Sequence, residues 1–339
     1  MLKRHIAALC EGRHLSEQQC RRAMAHIMAG RATDAQIAGF LVALRLNGES
    51  VPEITGCVKA MREAAESIDV GGLPVVDTCG TGGDEKNTFN ISTAAALVTA
   101  AAGVPVAKHG NRSVSSSSGS ADVLEKLGVN IEAPPETVER CVKEVGIGFL
   151  FAPLLHRAMK HAVGPRRELG VRTVFNLLGP LTNPAGARRQ VLGVYSEELT
   201  STMAGVLHRL GAERALVVNS RDGMDELSTC DKTAVAEVGP DGVSEWVLDP
   251  KDLGMKRAEV SELVAEGPDH SARIITDILD GTSGAPRDIV ALNAGAAIYA
   301  GGKVDSLREG LEAAQEAIDS GSARRVLDDL CRLSHRADK

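Results

Sequence analysis

The 339-residue sequence contains no block of Lys and Arg, and its formal net charge of -7 is acidic. That balance argues against nucleic acid as a main partner, because such binding rests on a concentrated basic surface. No apolar run reaches membrane-spanning length, and the N-terminus is charged from its third residue, Lys3-Arg4-His5. Neither a membrane span nor a signal peptide is therefore expected, and the chain reads as cytoplasmic. The seven cysteines show no paired spacing, and Cys10, Cys20, Cys57, Cys141 and Cys331 fall in helix-like segments. Such usage excludes a disulfide framework or zinc site and points to buried thiols in a reducing compartment. Two phosphate fingerprints are also missing. No Gly-Lys-Ser/Thr follows the glycine-rich segment, and the G-x-G-x-x-G spacing fails there.

What the sequence does contain divides into two textures. Residues 1–67 pass every local test for helix. Ser16 with Gln19, Thr33 with Gln36 and Ser50 with Glu53 have capping-box spacing, each opening a stretch of helical periodicity. Ile37, Phe40, Leu41 and Leu44 form one apolar stripe, and Ile54, Cys57, Val58 and Met61 another. From Leu73 onward, Val/Ile-rich runs at 74–77, 104–107, 147–151, 190–195, 214–219 and 233–238 alternate with helical stretches. This alternation predicts a largely parallel sheet wrapped by helices. Closing helices are expected near 286–300, 306–320 and 322–333. The fold class is thus α/β, a small all-helical domain beside a larger domain with a mostly parallel central sheet.

Three stretches carry chemistry. The first is Val75–Thr93, VVDTCGTGGDEKNTFNIST, a short apolar strand, a glycine loop (Gly80, Gly82, Gly83) and a helix start. This order exposes main-chain N–H groups and the positive end of a helix to an anion. Asp84 within the loop suits a sugar hydroxyl or hydrated metal better than a bare phosphate. Cys79, without a visible base, reads as a small filler. The second stretch, Lys108–Glu125, also follows an apolar run and leads to a helix expected at 121–127 with Ser120 as cap. Lys108, His109, Asn111, Arg112 and a serine run stand at the strand end, where α/β proteins place ligands. The third is Asp222-Gly-Met-Asp-Glu, whose adjacent acids fit a Mg²⁺ ion that keeps much of its water and shares phosphate oxygens. A fourth run, His156–Asn176, offers Arg166, Arg167 and Arg172 as planar grips for a carboxylate.

GTGGD at 80–84, NIST at 90–93, KHGNR at 108–112, SGSADVLEKLG at 118–128, FNLLGPLTNP at 175–184 and DGMDE at 222–226 together resemble the anthranilate phosphoribosyltransferases. The motifs span most of the chain in family order. The resemblance implies transfer of the 5-phosphoribosyl group from 5-phosphoribosyl 1-diphosphate to the amine of anthranilate, in tryptophan biosynthesis. It implies donor binding by Gly80, Gly83, Asp84, Thr88, Asn90, Ile91, Ser92, Thr93, Lys108, Asn111, Arg112, Ser115, Ser116 and Ser120. It further implies anthranilate binding by Gly80, Asn111 and Arg166, and two Mg²⁺ ions per subunit held by Ser92, Asp225 and Glu226. Lys108 and His109 are the catalytic candidates. The helical domain would be discontinuous, 1–67 and 165–189, and would make a homodimer contact, leaving 73–164 and 190–339 as the α/β domain. Arg157, Gly164-Pro165 and Ser118 depart from the common family pattern. Two other readings share features: a pyrimidine nucleoside phosphorylase, which would need no acidic metal pair, and a nucleic-acid-binding relative, which would need a basic groove.

Overall fold

The computed structural model describes residues 2–113 and 118–336. It opens with four helices, α1 (Leu2–Cys10), α2 (Glu17–Met28), α3 (Asp34–Asn47) and α4 (Val51–Ala64). The first two expected capping boxes form: Gln19 and Gln36 return their side chains to the main-chain N–H of Ser16 and Thr33, at 2.8 and 3.2 Å. The third forms the same reciprocal bond, Ser50 N–H donating to Glu53 Oε2 at 2.9 Å, but Ser50 Oγ also donates to that carboxylate, at 2.5 Å, rather than accepting from the helix. Glu53 is fully buried and also accepts from the Leu15 N–H at 2.8 Å, so one carboxylate ties the start of α4 to the α1–α2 connection.

Among the described residues, seven strands form one sheet: β1 (Val76–Gly80), β2 (Val106–Gly110), β3 (Ile147–Phe151), β4 (Arg189–Gly193), β5 (Arg214–Ser220), β6 (Thr233–Gly239) and β7 (Gly242–Leu248). Their order is β3-β2-β1-β4-β5-β6-β7, parallel from β3 to β5 and antiparallel at β6 and β7. Chain order reverses direction between β1 and β4, and such a switch point opens a crevice at the strands' C-terminal ends.

Each face of the sheet has its own core. Val76, Val106, Val191, Leu216 and Val218 pack with α5 (Ile91–Ala101) and the closing helix Ala285–Ala300. Leu192, Ala215, Val217, Ala236 and Val238 pack instead against the N-terminal helices. The alternation along β4 and β5 therefore divides the side chains between two apolar layers. Among the described residues, no helix is long and apolar enough to cross a membrane.

Two expectations are corrected. β1 and β2 run to Gly80 and Gly110, past the apolar residues at 74–77 and 104–107. Thr78, Lys108 and His109 therefore sit on strands, because ladder pairing continues where polar side chains find buried partners. Ser120 is the first helical residue of α6 (Ser120–Lys126), with Gly119 as its cap. Arg166 stands near the C-terminal end of the helix Lys160–Leu169. β7 was not among the expected runs; on it the Trp246 indole N–H donates to Glu237 at 3.0 Å.

Candidate active site

The crevice at the switch point is lined by the ends of β1, β2 and β4 and by the turn after β5. β1 delivers Gly80 into a loop pinned on two sides. Thr81 N–H donates to the Gly193 carbonyl at 2.9 Å, and Gly82 N–H donates to Asp225 Oδ2 at 2.8 Å. Gly82 and Gly83 both take left-handed backbone angles, φ +63° and +80°. Glycines are needed at the strand ends because Asp225 lies directly on them. A Cβ on Gly80 would stand 2.5 Å from Asp225 Oδ2, and one on Gly193 would stand 1.6 Å from the Asp225 carbonyl oxygen. At Gly193 the obstacle is backbone and no side chain fits, and at Gly80 any side chain would displace the Asp225 carboxylate.

Asp225 and Glu226 are therefore brought against the glycine loop, as their spacing in sequence could not reveal. Burial, with Asp84 close by, pushes the Asp225 carboxyl up to about 7. Burial and Asp225 push Glu226 well above the usual carboxylate range, opposed by Lys108 and by the Ser92 N–H. Crowded in this way, the carboxylates carry more negative charge than the one neighbouring cation, Lys108, balances, and they favour a further cation. Among the described residues, no three Asp, Glu, His or Cys side chains enclose a metal unaided. An all-oxygen donor set of one or two carboxylates still fits Mg²⁺, whose remaining ligands are water and phosphate oxygens.

Lys108 is almost fully buried, and its Nζ donates to the Thr78 carbonyl at 2.6 Å and to Ser92 Oγ at 3.3 Å. Burial lowers its affinity for the proton, while Asp77, Cys79 and Glu226 favour the charged form. The ammonium thus sits beneath the acid pair. Ser92 lies in the first turn of α5, and Asn90 precedes that helix. Asn90 Nδ2 reaches across to the Ser118 carbonyl and hydroxyl at 3.0 and 3.1 Å, while its other side-chain atom accepts from Thr93 at 3.2 Å. The NIST turn accordingly links the second loop to the acid pair. Ile91 is buried beneath it, and Thr88 bridges to Val264.

In the second loop, the Asn111 carbonyl accepts from Ala121 N–H at 3.2 Å and from Ser120 Oγ at 3.4 Å, and Asn111 itself is exposed. Arg112 is engaged with Asp122 and Glu125, both at 3.0 Å, so its charge is shared with α6. Ser115 and Ser116 lie outside the described residues.

On the far side of β2, His109 and His156 face each other, Nε2 to Nε2, at 3.1 Å. Burial and mutual repulsion push His109 down to about 3, and burial pushes His156 down to about 4. Both rings are neutral near pH 7, so one ring nitrogen of each can accept a hydrogen bond and the other donate one, whereas taking up a further proton would charge a ring that burial keeps neutral. Asp77 is fully buried, accepting from the main-chain N–H of His109 at 3.1 Å and from Asn183 Nδ2 at 2.7 Å. Burial pushes it up to about 6. Arg166 is half-buried, its guanidinium 5.0 Å from the centre of the Phe175 ring, and no carboxylate pairs with it among the described residues. A desolvated, unpaired guanidinium is prepared for an anionic ligand.

Two family models match the chain. One described as the helical bundle domain of a glycosyl transferase family covers residues 3–65, and one described as that family's a/b domain covers 72–324. Among curated relatives, the anthranilate phosphoribosyltransferase of Acetivibrio thermocellus is 52% identical over 335 residues, 99% of this chain and 97% of that protein. The chain belongs to the anthranilate phosphoribosyltransferase family. The enzyme of that name from Hahella chejuensis is 52% identical, covering 98% of this chain and 97% of its own. The crystal structure of anthranilate phosphoribosyltransferase from Thermus thermophilus superposes with a TM-score of 0.93 at 48% identity, covering 98% and 99% of the two chains. The Saccharomyces cerevisiae enzyme in complex with PRPP and Mg superposes with a TM-score of 0.89 at 29% identity, covering 98% and 97%.

Within this anthranilate phosphoribosyltransferase framework, Gly80, Asp84, Ser92, Lys108, Asp225 and Glu226 converge at one strand-end crevice. Arg166 stands on a separate helix, and Arg112 turns toward α6. Asp77, His156, Asn183 and Gly193 had no role assigned from sequence. Asn183 was within reach, since it falls in the FNLLGPLTNP motif, whereas His156 has no sequence feature that pairs it with His109.

Proposed function

We propose that this protein transfers the 5-phosphoribosyl group from 5-phosphoribosyl 1-diphosphate to the amine of anthranilate, giving N-(5-phosphoribosyl)anthranilate and diphosphate. The observation that carries the reading is the junction of glycine loop, acid pair and buried lysine, with Gly82 N–H bonded to Asp225 and Lys108 beside Ser92. The amides of Gly80–Asp84 and the first turn of α5 with Asn90–Thr93 hold the donor. Asn111 lies beside it, and Arg166 grips the anthranilate carboxylate. Ser92, Asp225 and Glu226 hold two Mg²⁺ ions, which when bound supply positive charge against the departing diphosphate.

The C1–O bond to diphosphate breaks as the anthranilate nitrogen forms its bond to C1 from the opposite face, with inversion. Negative charge grows on the leaving group, and preset amides and Lys108 stabilise it where it develops. The aromatic amine is already nucleophilic, so alignment supplies most of the acceleration. Neutral His109, braced by His156, orients the acceptor.

The helical domain is discontinuous in this reading, 1–67 with 165–189, and makes the homodimer contact. The helix Lys160–Leu169 packs on α2 and α3, and the helix Phe175–Leu181 packs on α4. The test is the loss of anthranilate fluorescence. It should require both the diphosphate donor and Mg²⁺. Retained fluorescence, with phosphorolysis of thymidine or uridine in its place, would assign the site to a nucleoside phosphorylase.

A further inference from the structure

Arg172 lies between the helices Lys160–Leu169 and Phe175–Leu181. Its position near Arg166 and Arg167 makes it a candidate grip for the acceptor carboxylate, yet its side chain is committed elsewhere. Nη2 donates to the main-chain carbonyl of Gly83 at 2.6 Å, and the guanidinium stands over the Tyr195 ring, 4.3 Å from its centre. Tyr195 in turn donates its N–H to Thr81 Oγ1 at 3.1 Å. One side chain therefore joins three elements: the acceptor-side connection, the glycine loop and the residues just beyond β4.

The Gly83 carbonyl is a consequential atom to hold. Two successive left-handed glycines leave this loop with little conformational preference of its own. In a planar trans peptide the carbonyl of Gly83 and the N–H of Asp84 point in opposite directions. A guanidinium that fixes the carbonyl aims the Asp84 N–H away from itself, where it can serve an anion held by the loop. The fit is close, because a Cβ on Gly83 would come within 3.0 Å of the same Nη2.

We propose that Arg172 is a positioning residue for the diphosphorylated donor. It holds the Gly83–Asp84 peptide in its anion-binding orientation and couples the order of that loop to the acceptor-side connection. The inference rests on the transferase reading for its substrate, and on the loop geometry for its mechanism.

Steady-state kinetics with both substrates, and calorimetry with inorganic diphosphate plus Mg²⁺, test it in the full-length protein. Arg172→Gln should raise the donor KM and the diphosphate Kd about tenfold, as expected for loss of a charge-assisted hydrogen bond. The anthranilate KM should stay within about twofold, and Arg172→Lys should fall between wild type and Gln. Tyr195→Leu should move the same two constants in the same direction, and adding it to Arg172→Gln should cost little more. A raised anthranilate KM with an unchanged donor KM would overturn the proposal, as would a lower Tm with both donor constants unchanged. A wild-type protein that binds diphosphate but does not consume anthranilate would refute the transferase reading alone. The diphosphate Kd of Arg172→Gln would then still decide the role of Arg172.

Discussion

Replacing Arg166 with Ala separates acceptor binding from every other role of the site. The guanidinium is half-buried, makes no ion pair among the described residues, and rests on Phe175 at 5.0 Å. Its fork is thus available for a carboxylate at little competing cost. A charge-assisted contact of this kind is worth about 1.5–3 kcal/mol. At about 1.4 kcal/mol per tenfold, the anthranilate KM should rise by roughly 10- to 150-fold. The donor KM should change by less than about threefold, because the donor loop hangs on β1, β2 and β4 instead. Stability should hardly move. Within the protein, Arg166→Ala removes a cation–π interaction of about 0.5–1 kcal/mol, a shift of only a few degrees in Tm. The assay is anthranilate fluorescence, with each substrate varied at saturation of the other. Arg166→Lys keeps the charge without the planar fork and should recover part of the loss. Equal rises in both KM values would refute the assignment, because they would place Arg166 in general site architecture.

The acidic pair gives a second prediction. Asp225→Asn with Glu226→Gln should lower activity at least about 100-fold and shift its Mg²⁺ dependence, whereas an unchanged metal titration would exclude both as ligands. In the unsubstituted protein, protons compete with the metal for carboxyls that burial and mutual repulsion have pushed up, Asp225 to about 7. Half-saturating Mg²⁺ should therefore fall as pH rises from 6 to 8, and a flat profile would contradict the raised affinity for protons. A third concerns Asp77, pushed up to about 6 from an ordinary 3.8 by burial. The folded state then binds more protons than the unfolded chain between those values, so this group's contribution to stability falls as pH rises across the window. Asp77→Asn should remove that slope in denaturant unfolding measured from pH 4 to 7. It should also cost about 1–3 kcal/mol, by presenting a second amide to the Asn183 side chain. An identical slope in both proteins would rule out Asp77 as its source.

Much of this organisation was legible in the sequence because local signals and tertiary packing agree. Capping residues Ser16 and Thr33 open the helices their spacing implies, and the Val/Ile runs form six of the seven strands. Disagreement arose where burial satisfies polar side chains. Nothing local says that Thr78, Lys108 and His109 belong to strands, since what keeps them there is the Asp77–Asn183–His109 network and the Lys108–Thr78 bond, all formed across the sheet. β7 was obscured because an edge strand exposed on one side alternates Val243, Glu245 and Val247 with Ser244 and Trp246, a pattern weaker than that of the buried strands. The site's chemistry was visible as motifs, but its distances were not. Asp225 meets Gly80 and Gly193 only because β1, β4 and β5 lie side by side, and Arg172 looks like a third acceptor cation until its bond to Gly83 is seen.

The central claim is that main-chain amides and a lysine at neighbouring strand ends capture a diphosphorylated sugar. A crystal structure with 5-phosphoribosyl 1-diphosphate and Mg²⁺ tests it most directly. The diphosphate should lie against Gly80–Asp84 and Asn90–Thr93, with metal between it and the side chains of Ser92, Asp225 and Glu226. Density for the donor elsewhere, with these groups still packed on one another, would contradict it.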